Sequence, residues 1–132
     1  MTAKLVSLEW EAAAFRFEGH RWSVVLTTPR LAPRYIQEIR KGQALAVCHY
    51  EERRIWIDAG FPEEFAETLH HELNHVPNPS GDDDHKFFAK TSPFVVDVYE
   101  SWGLKLLPPL PEGWERLCRS SQHWHRKQEE SA

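Results

Sequence analysis

Hydrophobic and polar residues alternate along the first half of the chain in a pattern typical of β-strands. Four apolar-rich runs occupy residues 12–18, 21–28, 44–50 and 54–58. Gly19-His20 separates the first two runs, and Glu51-Glu52-Arg53 separates the last two. Because β-branched and aromatic residues favour strands and short polar breaks favour turns, we expect two β-hairpins.

Helical spacing of apolar residues appears in other parts of the chain. Residues 33–41 form one such segment, which ends at Gly42, and residues 87–102 form another. Pro93 suits a first helical turn, so the second segment is either one interrupted helix or two short ones. A C-terminal helix that frays from Glu129 is also expected. Its apolar positions are Trp114, Leu117, Cys118 and Trp124.

The most regular helical pattern begins at Pro62, where a missing N–H costs nothing in the first turn. Pro77 disfavours helical dihedral angles at the residue before it, so the helix should end just past His75. One face of this helix is apolar, at about 100° per residue. That face consists of Phe65, Ala66, Leu69, Leu73 and Val76.

A second face of the same helix carries the sequence His71-Glu72-Leu73-Asn74-His75. Residues four apart lie one above the other on a helix, so His71 and His75 can bind one ion. Glu72 is placed to reach a water molecule on that ion, as in the His-Glu-x-x-His zinc sites. The remaining side of the helix, which we expect to face solvent, consists of Glu63, Glu67, His70 and Asn74.

The composition is that of one globular domain. The chain has 132 residues, 41% of them hydrophobic, and a formal net charge of −4. This length buries one core, and the modest negative charge argues against a nucleic-acid partner. No segment is apolar enough to cross a bilayer or to act as a signal peptide. We therefore expect a cytoplasmic single domain over 1–132 without a membrane partner, in which 108–132 is a proline-rich connector and a terminal tail or helix.

A catalytic zinc ion usually has three protein ligands, so a third ligand must follow the helix. His85 is the first candidate, because a turn-rich loop leads to it and Phe87 and Phe88 can anchor the returning chain. Glu100 is the second, since a carboxylate on a later helix also binds zinc. The remaining candidates are Asp82, Asp83, Asp84 and Asp97. The first three of these can instead orient a ligand histidine or cap the next helix.

His71-Glu72-Leu73-Asn74-His75 resembles the motif of the zincin metallopeptidases, and His85-Lys86-Phe87-Phe88 is similar to the third-ligand region of the small SprT-like zincins. The resemblance implies an α+β fold, with a twisted, mostly antiparallel or mixed sheet against the active-site helix and a C-terminal helix. It also implies an edge strand above the cleft, for which residues 55–57 are the candidate. The chain has no zinc ribbon and no basic tail, so a role on DNA is not expected.

These observations give a functional hypothesis. We expect a zinc-dependent metallopeptidase that acts on a peptide or protein, with Glu72 as general base and His71, His75 and His85 as ligands. Tyr99 is a candidate donor to the transition state if its helix crosses the site. The alternative is a binding or adaptor protein with a zincin-like domain, in which the metal is structural or absent.

Overall fold

The computed structural model describes residues 10–77, 93–103 and 110–131. Its strands and helices form an α+β fold, which confirms the predicted class. The strands are β1 (Glu11–Phe17), β2 (His20–Thr27), β3 (Ala46–His49) and β4 (Arg54–Asp58). The helices are α1 (Gln37–Arg40), α2 (Phe65–His75), α3 (Pro93–Ser101) and α4 (Trp114–Ser131), and a 3₁₀ turn (Pro62–Glu64) leads into α2.

Both predicted hairpins are present. The β1–β2 turn consists of Glu18 and Gly19, which have φ angles of 51° and 81°. Positive φ at both central residues matches the right-handed twist of the flanking strands, which explains why a glycine lies here. The β3–β4 hairpin also closes through a residue with positive φ, Arg53 at 57°.

The strand order is β1-β2-β4-β3, and β2 and β4 are parallel while the other two pairs are antiparallel. The prediction that residues 55–57 form an edge strand was therefore wrong. β4 is an interior strand, because it pairs with β3 on one side and with β2 on the other. Residues 55–57 are buried on both faces of the sheet, as the interior strand of a covered sheet should be. Within the described residues, β1 and β3 are the two edges.

Side chains of the sheet alternate between two hydrophobic layers. Val24 and Leu26 belong to the larger layer, with α2, α3 and α4, whereas Val25 belongs to the smaller one, with Ile36 and Ile39. Strand alternation accounts for this split. The larger layer brings α2, the helix with the histidine motif, onto the sheet.

Two helices differ in length from their predictions. The segment predicted as a helix over 33–41 is helical only at Gln37–Arg40, because Ile36 has non-helical dihedral angles. The chain still ends this helix at Gly42, which has φ of 70°. The C-terminal helix is longer than expected and continues to Ser131 without fraying at Glu129.

A buried carboxylate at the end of β4 fixes α4. The side chain of Asp58 is fully buried and accepts a hydrogen bond from the Gly60 N–H at 2.9 Å. Ser121 donates to the same oxygen, and His125 Nε2 lies 2.9 Å from the other oxygen. A buried carboxylate is stable only with such partners, so α4 is docked where the chain enters the turn before α2. In the part of the chain that the structure describes, no helix is long and apolar enough to cross a membrane.

Candidate metal centre

The helix that carries the motif ends where the sequence predicts. α2 spans Phe65–His75 and is preceded by the 3₁₀ turn that begins at Pro62. Val76, however, keeps helical dihedral angles (φ −54°, ψ −51°), so the prediction that Pro77 moves it out of the helical region was wrong. Its N–H bonds to the Leu73 carbonyl at 3.2 Å, which tightens the last turn.

The apolar face of α2 packs into the larger hydrophobic layer. Leu69 and Leu73 are completely buried, and Phe65 and Val76 are almost so. Burial of a leucine side chain stabilises a fold by about 1.5–3 kcal/mol. This face therefore fixes the rotation of α2 and, with it, the direction in which the histidine face points.

His71 and His75 lie side by side on that second face. Their Nε2 atoms are 3.2 Å apart, and their ring centroids are 4.9 Å apart. A carboxylate oxygen of Glu72 completes a group in which all ligand atoms lie within 4.8 Å of one another. Glu72 is 9% exposed and His75 is 7% exposed, whereas His71 is half-buried. His71, Glu72 and His75 thus form a candidate metal-binding group, in which His71 is partly exposed to solvent and the other two lie inside the protein.

The spacing of the two imidazole nitrogens fits a zinc ion. Two nitrogens bound at about 2.05 Å in a tetrahedral site lie about 3.3 Å from each other. The observed separation of 3.2 Å between the Nε2 atoms of His71 and His75 is close to that value. Nitrogen and carboxylate oxygen are also the donor types that zinc accepts. The two imidazole groups could therefore hold a metal ion such as zinc.

The side of α2 that was predicted to face solvent does so at Glu63 and Glu67, but it is covered by protein at its other end, where the prediction was wrong. Asn74 is completely buried, and its Nδ2 donates to the His70 carbonyl at 3.0 Å. His70 is half-buried and stacks on Tyr99 of α3, with the ring planes 14° apart. Because α3 packs on this side, His70 is directed to Tyr99 and not to the metal-binding group.

None of the described residues of α3 is a member of the metal-binding group. Tyr99 is buried against His70, and its burial raises the pKa of its phenol. Glu100 and Asp97 are exposed, and neither belongs to the group of ligand atoms around His71. His85, Asp82, Asp83 and Asp84 lie outside the described residues, so the third ligand stays a prediction.

The other four described histidines have separate surroundings. His20 and His123 are exposed, His49 accepts a hydrogen bond from the Glu52 N–H at 3.3 Å, and His125 contacts Asp58. Each of these four histidines is therefore either a surface residue or a residue with its own partner.

A groove of about 380 Å³ opens beside the metal-binding group. One wall is the chain segment 44–46, which leads into β3 and offers two short alanine side chains. The other wall is the start of α2 with the turn before it. The described residues of that wall are Glu64, Glu67, Thr68, His71 and Glu72. The groove therefore runs along α2 and reaches two members of the group.

The backbone of β3 is oriented so that part of it faces away from the sheet. The Leu45 carbonyl accepts a hydrogen bond from the Asp58 N–H at 2.8 Å, so Leu45 faces β4. Alternation along a strand then turns the N–H and C=O of Ala46 away from β4. The sequence prediction placed the edge strand at residues 55–57 and not at β3. The uninterrupted apolar run at 55–57 is, however, typical of an interior strand.

No family model, curated protein or solved structure matches this chain. The class that the structure defines is an α+β domain with a four-stranded mixed sheet and a His-Glu-His group on a core helix.

Proposed function

We propose that this protein is a zinc-dependent hydrolase of peptide bonds, with His71 and His75 as zinc ligands and Glu72 as general base. The observation that carries the proposal is the pair of Nε2 atoms 3.2 Å apart, with a Glu72 oxygen in the same group. His85 is the proposed third ligand, and it is so far supported by the sequence alone.

Each residue has a definite role in this proposal. Zinc, when bound, supplies Lewis acidity towards a water molecule and a peptide carbonyl. Glu72 accepts a proton as the oxygen of water bonds to the carbonyl carbon, and it returns that proton to the departing amine as the C–N bond breaks. The position of Glu72 favours this role, because its carboxylate is largely buried and lies in the same group of atoms as the two imidazole nitrogens.

The groove favours a peptide as the substrate. Ala46 turns one backbone donor and one acceptor away from the sheet, which suits hydrogen bonding to an extended chain. Glu64 and Glu67 line the same groove, and none of its described lining residues is Lys or Arg. An extended segment with basic side chains therefore complements the groove best.

The first experiment measures zinc content and hydrolysis in three variants. The unaltered chain, loaded with zinc and dialysed, should retain one ion and cleave an unfolded protein such as casein. His71→Ala should lose the ion. His70→Ala is the matched control, because it removes the neighbouring imidazole that stacks on Tyr99, and it should retain the ion. Glu72→Gln should retain the ion and lose hydrolysis by about 10²–10⁴-fold.

Three outcomes would contradict the proposal. Failure of the unaltered chain to bind stoichiometric zinc, or equal zinc content in the His71→Ala and His70→Ala variants, would remove the metal site. Zinc binding without any hydrolysis would leave the binding or adaptor function as the better explanation.

A further inference from the structure

A hydrogen bond connects the β3–β4 hairpin to the end of the helix that carries the metal-binding group. The hydroxyl of Tyr50 donates to the carbonyl oxygen of His75 at 2.8 Å. Tyr50 follows directly after the last residue of β3, and His75 is the last residue of α2. The bond thus joins an edge strand to a proposed zinc ligand.

The end of α2 needs such a partner. The last four carbonyls of a helix have no partner within it, and Pro77 has no N–H to offer one. A tyrosine hydroxyl from outside the helix meets this need at His75. Because the bond is made to the backbone of the ligand residue itself, it fixes the position from which the His75 imidazole projects.

The chain contacts α2 at both ends of β3. The segment 44–46 lines the groove beside His71 and Glu72, and Tyr50 contacts His75 one helical turn further on. The two contacts together set the separation of the edge strand from the histidine face. A substitution of Tyr50 should therefore change the geometry of the metal-binding group.

We propose that Tyr50 is a positioning residue for the zinc site, which acts by holding the backbone of His75 against the β3–β4 hairpin. This inference rests on the proposed function. It requires that loss of the hydroxyl weakens metal binding more than it weakens the fold.

The surroundings of Tyr50 make a clean substitution possible. Its ring packs edge-on against Trp22, with the centroids 6.1 Å apart and the planes at 81°. Phenylalanine keeps this aromatic contact and removes only the hydroxyl. Tyr35 supplies the matched control, because its hydroxyl hydrogen-bonds to Glu52 on the protein surface.

The experiment compares Tyr50→Phe with Tyr35→Phe. We expect Tyr50→Phe to bind zinc about 3- to 10-fold more weakly in competition with a chelator, the range that loss of one hydrogen bond near a ligand gives. The absorption bands of bound cobalt(II), a spectroscopic substitute for zinc, should change in shape as well. Tyr35→Phe should match the unaltered chain in both measurements.

Thermal unfolding separates positioning from simple stabilisation. The increase in Tm that saturating zinc gives to the unaltered chain should be smaller in Tyr50→Phe, because a weaker ligand stabilises less. Equal zinc affinity, cobalt spectrum and zinc-induced increase in Tm in Tyr50→Phe and Tyr35→Phe would overturn the role of Tyr50 alone. Lack of zinc binding by the unaltered chain would overturn the proposed function as well.

Discussion

The two edges of the sheet are built differently. At the β1 edge, the indole N–H of Trp102 donates to the Ala14 carbonyl at 2.8 Å, and the Trp102 ring packs edge-on against Phe15. At the β3 edge, Ala46 turns its backbone away from the sheet beside a groove that contains His71 and Glu72.

We expect the two edges to have different roles, the β1 edge in stability and the β3 edge in the proposed hydrolysis. A sheet edge presents backbone groups that can pair with another chain, and proteins usually cover them. The β1 edge is covered by the side chain of Trp102, which directly follows α3 and packs against the core. The β3 edge has small side chains and carboxylates around it. Substitutions at β1 should therefore act on the free energy of unfolding, and substitutions at β3 should act on substrate binding.

The largest expected effect concerns the covered edge. Trp102→Ala should lower the free energy of unfolding by about 2–3 kcal/mol, because a half-buried tryptophan loses its packing and the Ala14 carbonyl loses its donor. Denaturant titration measures the loss. Zinc affinity, measured on the folded variant, should equal that of the unaltered chain.

Trp102→Phe is the control for this prediction. It keeps most of the aromatic packing and removes the N–H, so it should cost only about 1 kcal/mol. A large change in zinc affinity in either variant would show that the two edges are coupled, and it would contradict the separate roles proposed for them.

Local features of the sequence were enough to predict the hairpins and the placement of His71, Glu72 and His75 beside one another on a helix. Gly19 and the polar break at 51–53 mark turns whose strands are neighbours in the chain. Helical geometry places His71 and His75 on the same face, and their Nε2 atoms are 3.2 Å apart.

Features that depend on distant contacts were not predicted. The parallel pairing of β2 with β4 joins residues about thirty positions apart, such as Val24 and Ile55, and it decides which strand is the edge. Asn74 is buried because neighbouring elements cover it, whereas a helical wheel gives only the direction of its side chain around the helix axis. The hydroxyl of Tyr50 meets a carbonyl 25 residues away, which no periodicity reveals.

A smaller effect is expected from a proline at the β3 edge. Ala46→Pro removes an N–H that faces away from β4, so it costs no bond of the sheet, and edge strands tolerate proline there. Hydrolysis of an extended peptide should fall about 5- to 10-fold in kcat/KM, the value of one backbone hydrogen bond to the substrate.

Ala14→Pro is the matched control at the other edge. The Ala14 carbonyl faces Trp102 and thus away from β2, so this substitution also removes an outward N–H. It should leave kcat/KM unchanged in the folded protein. Equal losses of kcat/KM in both variants would show that the β3 edge has no special role in binding.

The smallest expected effect concerns charge in the groove. Glu67 lies four residues before His71, about 6 Å along the helix axis, which is the length of about two residues of an extended peptide. Peptides with Lys two residues from the scissile bond, on the side nearer the start of α2, should be cleaved about 3- to 5-fold better than those with Glu there.

Glu67→Lys should abolish or reverse that preference, since it places a positive charge beside the basic side chain. Glu63→Lys changes the net charge equally, but Glu63 is grouped with Gln122 and His125 of α4 in a different cavity. It should therefore keep the preference. High salt should reduce the preference of the unaltered chain, because exposed charges are screened. If both lysine variants lost the preference equally, the net charge of the protein would explain it better than the groove beside His71.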